Sequence, residues 1–372
     1  MEGRATFGER FVLFLDNAKH VWGMGSNVLG QLGESNIVPE EVKPLPSYLA
    51  FLLPKNFFST PNNDPNVRLE PHLNPHLQNI TCVASGNSHS LCLDENGLVW
   101  GFGDNSRSQL GFNGLECHFT PKTIPGLTDI TQVKCSLDGS FAIEGNGNVW
   151  AFGHNPYGQL GVSSSKVVPI PTLVPQLTDI VMVACGESHS LFLTERGTVI
   201  SCGSNEYCQL GCDSTGEPTE IPGLAGIISI AASKTYSLVL NESGEVFTFG
   251  YAAFVRRHSS PKMLEDIPII QEVHASDEWC LLLTTDRKII WKTLHSPPRA
   301  PMSWDTVVGV SCSPYNSLIQ AADGTIWLYG VNQGRKLGSN ADCDSTLALV
   351  QISEYHANLF AVRAQNIKSA RK

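Results

Sequence analysis

The chain has 372 residues, 42% of them hydrophobic, and a formal net charge of −10. This balance describes an ordinary globular protein, and its sign disfavours nucleic acid, whose phosphates need a basic face. Only Lys368, Arg371 and Lys372 form a short basic tail, and no run approaches the roughly 18–20 apolar residues that span a bilayer.

The amino-terminal stretch contains one short apolar run, Phe11–Leu15, and lacks a cleavage-site pattern, so no signal peptide is expected. The 11 cysteines are scattered without CxxC pairs, which argues against a disulfide framework and a zinc module. Reduced thiols in the cytoplasm, or in the nucleus, are the expectation.

Near-copies of one stretch then recur along the chain. VWGMGSNVLGQLG at Val21–Gly33 returns at Val99–Gly111, Val149–Gly161 and Val199–Gly211, with a worn copy at Ile326–Gly338. Val99, Val149 and Val199 are spaced 50 residues apart, which marks a repeat architecture. In the repeat from Ile180 to Gly223, short β-branched runs alternate with Gly, Asn and Pro, and no helical periodicity appears. Each repeat holds four strands. They are A (Val181–Cys185), B (Ser190–Thr194), C (Thr198–Gly203) and D (near Thr219–Ile221).

Seven tight B–C hairpins can be counted, near Asp16–Lys19, Asp94–Gly97, Gly145–Asn148, Glu195–Gly197, Asn241–Gly244, Thr285–Lys288 and Ala322–Gly324. Four-stranded antiparallel units of this length are propeller blades. The strand-A column reads Ser85, Cys135, Cys185, Ala232, Ala275, Cys312 and Ala364, all small, as the crowded axis of a ring requires. Its cysteines are read as small hydrophobes rather than reactive thiols. The reading is therefore all-β: one seven-bladed β-propeller spanning 1–372. Its ring is expected to close by pairing of the terminal strands, with Leu359–Ala364 supplying strand A of blade one. Blade one would then be shared between 1–45 and 355–366, and deleting 355–372 would destabilise the whole ring.

The pairing of GESHSLFL at Gly186–Leu193 with GSNEYCQLG at Gly203–Gly211 resembles the repeat family of the regulator of chromosome condensation. GNSHSLCL at Gly86–Leu93 matches too, and the resemblance covers essentially the whole chain. It implies a seven-bladed propeller and fixes fold better than function. Within the motif, Gly153 and Gly158 permit unusual backbone conformations, and Asn155 tolerates the left-handed region. Gln159 is suited to loop backbone groups and Leu160 to the core. His89 and His189, without carboxylate or cysteine partners, are read as scaffold. The family's light-sensing members rely on clustered tryptophans, whereas Trp22, Trp100, Trp150, Trp291 and Trp327 here follow the strand-C position.

The copies fail in two places. After Gly250 and after Trp291 the Gln-Leu-Gly element is missing, and the histidine column carries Tyr236, Trp279 and Asn316. A–B turns and C–D loops share one face, so Tyr236, Arg256, Arg257, Glu278 and Trp279 form a candidate partner-binding patch, rich in the residues favoured at hot spots. The competing reading is repeat decay with Trp279 packed between blades. The second departure is an insertion over 46–79. With Pro39–Leu45 taken as strand D of blade one, it falls in the connection to blade two, on the opposite face. Its apolar Tyr48, Leu52, Leu53, Phe57 and Phe58 are candidate contacts. His72 and His76 flank Pro75, which excludes a helical metal pair.

No phosphate loop, Ser-His-Asp order or HExxH is present, so no enzyme, metal or cofactor is expected. The function read is a monomeric, non-enzymatic protein-interaction propeller, regulatory or scaffolding. The alternative implied by the family's founding member is a guanine-nucleotide exchange factor for a small GTPase, with propeller loops favouring its nucleotide-free state.

Overall fold

A computed structural model describes residues 5–16, 18–34, 66–162, 166–214, 216–252, 255–293, 306–314, 316–322, 326–331 and 347–352. Every regular element among them is a strand, and no helix is long and apolar enough to cross a membrane. The strands form seven consecutive antiparallel sheets, six of four strands and one, in blade six, of three among the described residues.

Blade four follows the sequence reading closely: β13 (Ile180–Cys185), β14 (His189–Thr194), β15 (Val199–Gly203) and β16 (Thr219–Glu220) are strands A to D. Strand B is buried along its whole length in blades two, four, six and seven, because it lies in mid-sheet with another blade on each side. Cores therefore form between blades. Phe141 and Phe192, from the B strands of blades three and four, meet edge to face with centroids 5.6 Å apart. The hairpins of blades one to six turn where expected, and residues 323–324 of the seventh lie outside the described residues. Gly97, Gly147, Gly197 and Gly244 have φ between 75° and 83°, and Lys19 and Arg287 take the same left-handed position at 65° and 66°.

Blade one corrects the expectation twice. Its innermost strand is β1 (Ala5–Phe7), paired with β2 (Phe11–Leu15) through Ala5 opposite Phe14 and Phe7 opposite Val12. The place assigned to Leu359–Ala364 is thus filled by the amino-terminal segment itself; 359–364 lie outside the described residues. A three-residue hairpin reaches that place with little loop-closure entropy, which a strand more than 340 residues away does not. Ring closure follows from packing: β1 touches both β5 (Ile80–Ser85) and β24 (Val307–Cys312). The Ser311 hydroxyl donates to Ala5 O at 3.4 Å, and Ser85 N donates to Thr6 Oγ1 at 3.0 Å.

The second correction concerns the insertion. Strand D of blade one is β4 (Val67–Leu73), paired with β3 (Val21–Ser26) in the register Trp22–Leu73 to Ser26–Val67. The extra chain is therefore the C–D connection within blade one, on the same face as the A–B turns rather than the opposite one. The missed signal is HLNPHLQNI at His72–Ile80, which repeats the Pro-x-Leu-x-x-Ile exit of KTIPGLTDI and TLVPQLTDI from strand D. Pro39–Leu45 and the candidates Tyr48, Leu52, Leu53, Phe57 and Phe58 lie outside the described residues.

Candidate functional site: the face of A–B turns and C–D loops

The repeated loop is built from buried amides. Asn27, Asn105, Asn155 and Asn205 accept, through Oδ1, the backbone N–H of Leu32, Leu110, Leu160 and Leu210 at 2.9–3.1 Å. Their Nδ2 groups donate to carbonyls further along the loop. Asn155 is thus a clasp and not, as expected, a left-handed residue; that conformation falls three positions on, at Gly30, Ser108, Gly158 and Cys208. The glutamines behave as foreseen. Gln31, Gln109, Gln159 and Gln209 accept the N–H of Leu29, Arg107, Tyr157 and Tyr207. The scaffold thereby holds a variable residue, two after the Asn, at the tip of each loop.

Neighbouring blades are tied by a second set of polar contacts. Ser140 donates to Gln109 O at 2.7 Å, so His89 Nε2 donates to Ser140 Oγ at 3.0 Å. His189 makes the same 2.9 Å bridge to Ser237, which donates to Gln209 O. Burial pushes the two imidazoles down to about 4 and about 3, so both are neutral linkers rather than general bases. A side chain at Gly86 would collide with the ring of His89.

This column corrects the proposed patch. Tyr236 is fully buried, its hydroxyl 2.8 Å from both Ser276 O and Trp279 O in the next blade. Trp279 is 2% exposed; its Nε1 donates to Ser317 Oγ at 2.8 Å and its ring meets Tyr329 edge to face at 4.9 Å. Neither can meet a partner, because large rings at this position reach inward to the neighbouring blade where a histidine would. Asn316 is likewise buried. Of the remaining three, Glu278 and Arg257 are exposed on the expected face, and Arg256 lies in β20 (Val255–Met263). Arg257 Nη2 donates to Glu206 O at 2.6 Å and Nε to Cys208 Sγ at 3.2 Å, which anchors it against the loop of blade four.

Sequence reading missed the exposed rings of this face. Tyr157, Tyr207 and Tyr251 are 58%, 38% and 49% exposed on adjacent blades, and the last two rings are 6.5 Å apart. A cleft of about 520 Å³ opens between the loops of blades three and four, lined by Tyr157, Gly158, Ser204, Asn205, Gly216 and Glu217 among others. The available signal was the variable stretch inside GxNxxxQLG, where Arg107, Tyr157 and Tyr207 stand two after the Asn. Nearer the axis the A–B turns carry Glu9, Asp138, Glu187, Asp277 and Glu278 against Arg10 and Lys234. Arg107 pairs with Asp138 at 2.6 Å and Lys234 with Glu187 at 2.9 Å. Burial raises the Asp277 carboxyl to about 6.

At the root of the insertion Glu34 is buried, with its Oε2 3.8 Å from Arg68 Nε and 3.5 Å from His72 Nε2. Burial lifts its carboxyl to about 7 against the opposing pull of Arg68. On the strand-A column the Cys185 and Cys312 thiols are pushed up to about 12 by burial, so they are inert fillers, in line with the sequence reading. No group of three or more His, Cys, Asp or Glu among the described residues could hold a metal ion.

Fold and face together define a repeat propeller whose scaffold residues are internal and whose variable residues crown one face. The family model of the RCC1-like domain matches residues 58–259, more than half of the chain, and the protein belongs to that family. Human WBSCR16 is similar over 90% of this chain and 94% of its own, at TM-score 0.72 and 21% identity. Yeast RCC1 (Prp20), solved bound to Kap60, is similar over 91% of this chain and 85% of its own, at TM-score 0.69 and 21% identity. Prp20p from Saccharomyces cerevisiae, described with its binding to Gsp1p and histones, gives TM-score 0.59 at 20% identity over 94% and 76%. At these identities the likeness establishes the fold. A comparison with curated protein sequences gives no match.

Proposed function

We propose that this protein is a non-enzymatic, regulatory or scaffolding interaction propeller, which binds a protein partner through the face of A–B turns and C–D loops. The observation that carries the reading is the division of labour in the repeat. Its histidines, asparagines and glutamines are consumed in packing, while exposed tyrosines, Arg107, Arg257, Glu278 and a carboxylate-rich mouth gather on one face. Arg256 and the insertion residues Tyr48, Leu52, Phe57 and Phe58 belong to chain segments attached at that same face, and we include them in the binding surface.

The second reading is exchange activity on a small GTPase, favoured by the likeness to Prp20p, whose binding to Gsp1p is described. Exchange needs no covalent chemistry, only tighter binding of the nucleotide-free state. Release of labelled GDP from a panel of small GTPases separates the two. The scaffold reading expects no acceleration by the wild-type chain. Acceleration that disappears in the Arg256→Ala, Arg257→Ala double variant would replace it with the exchange reading.

A further inference from the structure

We infer that the cleft between the C–D loops of blades three and four receives an arginine-bearing, extended segment of a partner protein. The inference rests on the interaction reading above and names the chemistry that the face would select.

The cleft is shaped for a chain with a long side chain. Gly158, Gly161, Gly203 and Gly216 line part of it, which leaves those stretches of wall to backbone atoms. Its floor is closed. Gly203 N donates to Gly216 O at 3.0 Å, and a Cβ on Gly158 would stand only 3.1 Å from the same oxygen. About 520 Å³ lies within the usual range of ligand sites, and the opening faces solvent along the rim.

The surroundings select a cation. Exposed Glu217 lines the cleft and exposed Asp213 and Glu206 flank it. Two cations stand nearby, Lys166 and Arg257, and the Arg257 guanidinium is already turned onto Glu206 O and Cys208 Sγ. The chain as a whole carries −10, so a basic segment is drawn to the protein at long range as well. At the rim, exposed Tyr157 offers a ring face to a cation. Arginine fits better than lysine, because a planar guanidinium stacks on an aromatic ring while forking onto a carboxylate. The exposure of Tyr157 also has a simple origin, shared with Tyr207. Each tip residue is held outward by the glutamine two positions on, through the Tyr157 N to Gln159 and Tyr207 N to Gln209 bonds.

The test is fluorescence anisotropy of the full chain with a fluorescein-labelled peptide of alternating glycine and arginine, against the same peptide with glutamate for arginine. Saturable binding of the arginine peptide is expected, weakening between about 50 and about 200 mM salt as exposed charges are screened. Tyr157→Ala and Glu217→Gln should each weaken it about fivefold to tenfold, while Leu98→Ala on the opposite face leaves it unchanged. These side chains are exposed, and matching thermal unfolding of the variants confirms that only the surface has changed. Absence of saturable binding, equal binding of the glutamate peptide, or undiminished binding by both cleft variants would overturn the inference. If the peptide fails while the chain still captures a GTPase or another protein, the cleft assignment falls and the interaction reading stands.

Discussion

In blade four, His189 reaches across 2.9 Å to Ser237 of blade five; in blade six, Trp279 reaches across 2.8 Å to Ser317 of blade seven. Tyr236 of blade five spans to the backbone of blade six in the same way. Blades four, five and six therefore solve one problem with different side chains. A buried donor at the start of strand B satisfies an acceptor on the next blade, where an unmade hydrogen bond would cost about 1–3 kcal/mol. What looks in sequence like the breakdown of a motif is the same bridge rebuilt with larger rings. The blades differ in earnest at the loop tips, where the side chain two after the asparagine is exposed at Arg107, Tyr157 and Tyr207.

The largest effect that would break this comparison is at ring closure. Removing residues 1–8 deletes β1, the strand that joins blade one to β24, and is expected to abolish cooperative unfolding of the whole ring. Circular dichroism and calorimetry of that truncation should show it. A truncation that keeps the wild-type transition would mean that another segment closes the ring.

A smaller and pH-resolved effect separates the histidine bridges from the aromatic ones. The His189 imidazole is pushed from 6.5 down to about 3 by burial, and that of His89 to about 4. The unfolded chain takes up these protons first. Their contribution is therefore complete above pH 6.5 and is lost progressively as pH falls toward 3–4. His189→Ala should cost about 2–3 kcal/mol at pH 7.5, from the lost bridge and the cavity. Its denaturant midpoint should also fall less steeply between pH 6.5 and 4 than that of the parent. Parallel pH profiles for variant and parent would contradict the neutral-linker role.

Much of this molecule was legible because it is written several times over. The 50-residue spacing, the hairpin glycines and the small strand-A residues fixed blade number and strand order, since each feature had several copies to check it. Blade one resisted for a physical reason. Its strand A is only three residues long, and its strand D is separated from strand C by an insertion, so neither has the usual neighbours in sequence. The exit HLNPHLQNI was the readable clue. At the candidate site, residue type was misleading. Tyr236 and Trp279 have hot-spot chemistry, but burial is decided by their register with His189, which points into the next blade. Tyr157 and Tyr207 were overlooked because they stand inside a motif whose other members are scaffold.

The aromatic substitutions at the histidine column hold blades together, whereas the exposed tips of the same face carry little of the stability. The direct measurement is thermal and denaturant unfolding of Trp279→Ala beside Tyr207→Ala. The account expects Trp279→Ala to lose about 3–5 kcal/mol, as for a large buried ring, and Tyr207→Ala to stay within about 0.5 kcal/mol of the parent. A Trp279→Ala protein with undiminished stability would contradict it.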